Sequence, residues 1–213
     1  MVEFIYYLEL FGVFVFAAAG ALEAGRSRLD FFGVLVVALV TALGGGTLRN
    51  LVLGVPAGWV EAHIYIWVAL SGGTLTFILA KFCRLPFRAL LYADAVGLSV
   101  FVVTGAQIAI LNGASGVIVV MLGMASGIVG GVIRDVLCNE VPLIFRRDVY
   151  ATAALVGALV YLALLQLDPN GAWAAILSIL TVLAIRAAAI QWHLSLPSFL
   201  HTNTYRQENR HEE

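Results

Sequence analysis

Seven stretches of this chain are long and apolar enough to cross a bilayer, which takes roughly 20 mostly apolar helical residues for about 30 Å of hydrocarbon. They run over Phe4–Leu22, Phe31–Val55, Ile64–Ala80, Leu90–Leu111, Gly116–Cys138, Val149–Leu167 and Ala172–Ile190. Lipid offers no partner to an unpaired backbone amide, so each stretch must close its own hydrogen bonds as a helix. A β-barrel would need short alternating segments, and these runs are continuous and longer. Charge agrees: 12 Lys+Arg and 13 Asp+Glu make up only 12% of 213 residues, against about 25% in soluble domains. Soluble globular and disordered classes are excluded. The expected fold is an all-α integral membrane protein with seven transmembrane helices, its partner the lipid bilayer.

The basic residues set the orientation. Arg26, Arg28, Lys81, Arg84, Arg88, Arg146 and Arg147 lie in the loops after spans one, three and five, and Arg186, Arg206 and Arg210 at or beyond the end of span seven. The opposite loops hold none. This places the N-terminus outside and the C-terminus in the cytoplasm. Met1 to Leu8 lack a basic region, so the opening stretch reads as a span and not a cleaved signal. Cys83 and Cys138 then read as free thiols near the reducing side. Trp59, Tyr65, Trp67, Trp173 and Trp192 read as interfacial anchors.

Sliding the chain against itself by 85 residues pairs Gly12 with Gly97, Phe16 with Phe101, Gly45 with Gly130, Gly46 with Gly131 and Arg49 with Arg134. Tyr65 falls on Tyr150, Glu9 on Asp94, and Asn50 on Asp135. Each unit holds three spans, an odd number, so the second must enter the membrane from the opposite face. The expected organisation is residues 1–84 as one three-helix repeat and 85–168 as its inverted copy, then a seventh helix at 169–192 and a polar cytoplasmic tail at 193–213. Inverted repeats place a solute or ion path near the midplane, where their broken helices meet.

Spans two and five carry the residues suited to such a path: Gly44, Gly45, Gly46, Thr47, Arg49 and Asn50 in one, and Ser126, Gly127, Gly130, Gly131, Arg134 and Asp135 in the other. Adjacent glycines permit kinks, and kinks expose carbonyl oxygens as weak cation ligands. The plainer reading is a small-residue packing face, which explains Gly46 and Gly131 but leaves Gly44, Gly45 and Gly130 over. A charge within a span costs at least about 2.5–3.5 kcal/mol and needs a partner. Depth matches Glu9 with Arg49 and Asp94 with Arg134, each carboxylate lying about 9 Å inside its span. These pairs serve as a gate or as static ties holding each repeat together.

Nothing points to catalysis. Phosphate loops, nucleophile elbows and zinc-protease signatures are missing, the four histidines are too scattered for a metal site, and neither a cofactor nor nucleic acid is expected.

With these motifs in view, the chain resembles the prokaryotic trimeric intracellular cation (TRIC) channel family, whose domain is also labelled a glycine transporter. The resemblance rests on Gly44-Gly45-Gly46-Thr47-Leu48-Arg49-Asn50 and Gly130-Gly131-Val132-Ile133-Arg134-Asp135 and spans about Leu8 to Ile190. It implies a homotrimer in the bacterial inner membrane, each subunit passing K+ and to some extent Na+. The pore would run between kinked spans two and five, near Gly45, Gly46, Gly130 and Gly131. The rival expectation is a secondary transporter of a small zwitterion such as glycine, because inverted repeats are as typical of transporters.

Overall fold

The computed structural model describes residues 2–83, 86–146, 149–167 and 172–195. Arg84, Arg147, Arg206, Arg210, His201, His211, the Asp168–Gly171 connector and most of the expected tail lie outside the described residues. The described chain forms eight α-helices: α1 (Val2–Arg26), α2 (Phe31–Leu53), α3 (Gly58–Glu61), α4 (Ile64–Phe82), α5 (Phe87–Leu111), α6 (Gly116–Leu137), α7 (Ala151–Leu165) and α8 (Ala172–Trp192). Six of them, all but α3 and α7, are long and apolar enough to cross a membrane. The one-turn α3 escapes periodicity, being too short to show any. Helix α7 is shorter than the apolar run that contains it, because Val149 and Tyr150 precede its start and Gln166 and Leu167 form a turn after its end.

Local chemistry sets the ends. Asp30 caps α2 by accepting from the Gly33 amide at 2.7 Å. Gly54 closes that helix at φ 70°, its amide donating to the Asn50 and Leu51 carbonyls, a left-handed stop suited to glycine. Helix α5 lies at the centre against α1, α6, α7 and α8, with Leu98, Val102, Val103 and Ala106 fully buried. Little of this core is aromatic. Its helices approach closely because Gly, Ala and Ser dominate the facing positions, as packing in lipid favours.

The contacts between the halves come in exchanged pairs. A methyl placed on Gly97 would lie 2.0 Å from Phe16, and one on Gly12 would lie 3.0 Å from Phe101. The Phe16 and Phe101 rings stack at 5.2 Å and 13°. Adding 85 to one partner and subtracting it from the other turns each glycine contact into its counterpart. The same exchange links Gly45 over the Ser126 carbonyl with Gly130 over the Thr41 carbonyl. Intrahelical bonds repeat by simple shift, Thr41 Oγ1 donating to the Val37 carbonyl and Ser126 Oγ to that of Leu122.

One expectation needs correction. Helices α2 and α6 run unbroken through their glycine clusters, so no helix break exposes carbonyls there. Gly45 and Gly130 lie in a close helix–helix contact. Methyls on Gly45 and Gly130 would stand only 2.0 and 2.2 Å from carbonyl oxygens of the facing helix. At this crossing α2 and α6 touch backbone to backbone.

Candidate functional site

Two buried ion pairs flank the α2–α6 crossing. In the first, Arg49 Nη1 donates to Glu9 Oε1 at 3.0 Å and Arg49 Nε to Asn50 Oδ1 at 2.8 Å. Tyr65 gives its hydroxyl hydrogen to Glu9 Oε2 at 3.0 Å, and Asn50 Nδ2 donates to the Pro56 carbonyl. In the second, Arg134 Nη1 donates to Asp94 Oδ1 at 2.7 Å and Arg134 Nε to Asp135 Oδ1 at 2.8 Å. The Leu143 amide donates to Asp135 Oδ2, and Tyr150, the counterpart of Tyr65, is buried beside the cluster. Each arginine thus reaches 40 residues back to a carboxylate and one residue forward to an amide or carboxylate oxygen. Charge-assisted, two-edged bonding of this kind keeps a guanidinium tolerable out of water.

Gly46 and Gly131 serve these arginines. A methyl on Gly46 would meet the Arg49 Nη2 at 3.8 Å, and one on Gly131 would meet Asp94 Oδ1 at 3.3 Å and Arg134 Nη2 at 3.6 Å. Small residues one turn earlier let the guanidinium fold back along its own helix. The assignment from sequence is therefore exchanged: Gly45 and Gly130 make the helix–helix contact, while Gly46 and Gly131 make room for charge. Gly44 faces Ile133 across the crossing, and Gly127 packs on Leu98 and Val102 of α5. The Ser126 hydroxyl is spent within its own helix. Thr47 donates to the Leu43 carbonyl and accepts from Trp59 Nε1 at 3.0 Å.

The two sites differ in access. Glu9, Gly46, Thr47, Arg49, Trp59 and Tyr65 border a cavity of about 30 Å³, enough for one or two waters. Arg134 and Asp94 are wholly enclosed, with neither side chain exposed. A larger groove of about 480 Å³ runs outside the crossing, lined by Leu43, Gly44, Leu48, Leu51, Val129 and Ile133, and is almost wholly apolar. No group of His, Cys, Asp and Glu able to hold a metal occurs among the described residues.

Three residues escaped the reading of the sequence. Tyr65 and Trp59, taken as anchors, bond Glu9 and Thr47. Arg186, counted among the basic residues on the cytoplasmic side, is fully buried on α8. The coincidence of Tyr65 with Tyr150 under the 85-residue shift was the signal available for the tyrosine.

A family model described as "Glycine transporter" matches twice, over residues 6–81 and 91–166, so both ends are 85 apart. A UPF0126 membrane protein of Vibrio cholerae is 41% identical, covering 92% of this chain and 82% of its own length. The UPF0126 inner membrane protein YadS of Escherichia coli K12 is 42% identical, covering 92% and 96%. Among solved structures, the TRIC trimeric intracellular cation channel orthologue from Rhodobacter sphaeroides superposes with a TM-score of 0.85 at 40% identity, covering 89% of this chain and 98% of that one. A prokaryotic TRIC channel crystallised in 0.5 M KCl gives 0.84 at 28% identity, covering 92% and 100%. With the fold, the doubled match and the relatives in agreement, the chain belongs to the TRIC family of membrane proteins, the family whose sequence model is described as Glycine transporter.

Proposed function

We propose that the protein is a passive channel for monovalent cations, K+ and to some extent Na+, working as a homotrimer in the bacterial inner membrane with one path in each subunit. The observation that carries this reading is the likeness, at 40% identity over nearly the whole of both chains, to a solved trimeric cation channel. In this reading the subunit has seven spans, α3 lying outside them, with the N-terminus outside and the C-terminus in the cytoplasm. Residues 1–84 and 85–168 are inverted three-helix repeats, 169–192 adds the seventh span, and 193–213 is a cytoplasmic tail. The exchanged glycine contacts and the doubled family match both support this arrangement.

The path enters at the Glu9, Thr47, Arg49 and Tyr65 cavity, meets the α2–α6 crossing as its constriction, and leaves past Asp94, Arg134 and Asp135. Glu9 and Asp94 neutralise the arginines, whose charge would otherwise oppose a cation. The crossing is closed in this conformation, since Gly45 and Gly130 bring the helices into backbone contact. Conduction needs α2 and α6 to part there, and contacts made through glycine alone leave few side chains to unlock. The protein has no catalytic role and no cofactor; K+ or Na+ is cargo.

The second reading, a secondary transporter of a small zwitterion such as glycine, is favoured by the description of the matching family model. Planar-bilayer recording paired with glycine uptake into proteoliposomes separates the two.

A further inference from the structure

The 85-residue shift also carries α3, Gly58–Glu61, onto a 3-10 turn at Leu143–Phe145, so each repeat has a short turn after the helix that holds its arginine. In both, the residue next to the arginine ties this segment down. Asn50 Nδ2 donates to the Pro56 carbonyl, and Asp135 Oδ2 accepts from the Leu143 amide at 2.9 Å. The two turns are seated differently. Leu143 is buried in one cluster with Leu98 and Tyr150, and its amide bonds a carboxylate, which makes a stronger bond than a neutral acceptor. Helix α3 has no buried residue and no side-chain cap, and its tie to Asn50 is neutral.

What α3 has in addition is Trp59. Its Nε1 donates to Thr47 Oγ1 at 3.0 Å, a bond without a counterpart, because the shift puts Ile144 and Val132 at these positions. Gly58 and Trp59 form one side of the cavity that holds Glu9 and Arg49, and a methyl on Gly58 would lie 3.7 Å from the Tyr65 ring. That cavity takes one or two waters, too few for a hydrated cation, so a wall must move before an ion enters. Its other walls belong to α1, α2, α4 and α5, all long packed helices. A four-residue element with little buried surface opens before they do.

We propose that α3 is a lid on the Glu9–Arg49 cavity, with Trp59 as its latch on Thr47, while the Leu143–Phe145 turn stays seated. The inference rests on the channel reading, in which the path enters at this cavity. Lifting α3 breaks the Trp59–Thr47 and Asn50–Pro56 bonds. The second break frees Asn50, which also accepts from Arg49 Nε, so the arginine gains room as the mouth opens.

The test uses the full-length protein in lipid nanodiscs with Val13→Cys, a buried cavity position on α1. Labelling by a cationic methanethiosulfonate reagent is followed at residue 13 by peptide mass spectrometry. The reagent is larger than the cavity, so only a lifted lid admits it. Trp59→Phe removes the N–H donor and keeps an aromatic ring; it should speed labelling about fivefold, the worth of one neutral hydrogen bond, with the melting midpoint unchanged. Thr47→Val removes the acceptor at nearly constant shape and should give the same gain, adding nothing to Trp59→Phe when the two are combined. It decides the matter if Trp59→Phe does not fold. Leu98→Cys, the repeat counterpart of Val13, should stay unlabelled in every background. In planar bilayers, Trp59→Phe should lengthen the fraction of time that K+ current flows. Labelling of Val13→Cys unchanged by both variants, gains that simply add, or K+ current indifferent to them overturns the lid, and wild-type K+ currents recorded alongside leave the channel reading standing. Faster labelling with no K+ current in any variant leaves α3 as a lid on the cavity and counts against the channel reading instead.

Discussion

Arg134 donates through Nη1 to Asp94 at 2.7 Å with both side chains wholly shielded, and Arg49 makes the corresponding bond to Glu9 at 3.0 Å beside a water-sized cavity. The two pairs are chemically alike and differ in their surroundings. Removing one member of a buried pair leaves an uncompensated charge at about 3–5 kcal/mol. Asp94→Asn and Arg134→Ala should therefore lower the midpoint of thermal unfolding sharply. Glu9→Gln should lower it less, because water reaching the cavity can solvate Arg49. Equal losses in a detergent melting assay would contradict the difference in enclosure.

Current should respond in the opposite order. Glu9→Gln bares the Arg49 charge on the open side of the proposed path, where one unit charge at about 5 Å and an effective dielectric near 20 is worth roughly 3 kcal/mol. The variant should reduce K+ current about tenfold or more at low salt, with part of the loss recovered as ionic strength rises. An unchanged conductance would place the path elsewhere.

The glycines divide by the space around them. Alanine at Gly45 or Gly130 drives a methyl against a carbonyl oxygen of the facing helix, and overpacking of that kind costs about 1–3 kcal/mol or more. Gly45→Ala and Gly130→Ala should destabilise the protein or hold the crossing apart, seen as a lower melting midpoint or altered opening. A methyl on Gly46 would meet only Arg49 Nη2 of its own helix, at 3.8 Å, so Gly46→Ala should melt within about 0.5 kcal/mol of the wild type. Comparable damage from Gly46→Ala would undo the division.

Much of this was legible in the sequence. The span positions follow from hydropathy, since a bilayer demands length and apolarity and little else. The Arg49 and Arg134 pairs follow from the cost of intramembrane charge together with the 85-residue shift. Which glycine does what was not legible, because neighbouring helix positions point about 100° apart and only the partner helix decides the facing one. Unbroken helices through Gly44–Gly46 were hidden for a related reason: tertiary packing overrides local propensity. Arg186 was masked by its closeness to a helix end, where an arginine ordinarily reaches water.

Cysteine reactivity tests the proposed orientation. Cys83 is exposed just beyond α4 and Cys138 is buried at the end of α6. A membrane-impermeant maleimide should label Cys83 in inside-out vesicles and not in intact spheroplasts, while Cys138 stays slow in both. Labelling of Cys83 from outside would invert the topology.

The most direct test of the central claim is single-channel recording of the purified protein in planar bilayers under a KCl gradient, with proteoliposome glycine uptake measured in parallel. The account predicts discrete K+ current steps and no saturable glycine flux. Saturable glycine uptake without unitary currents would contradict it.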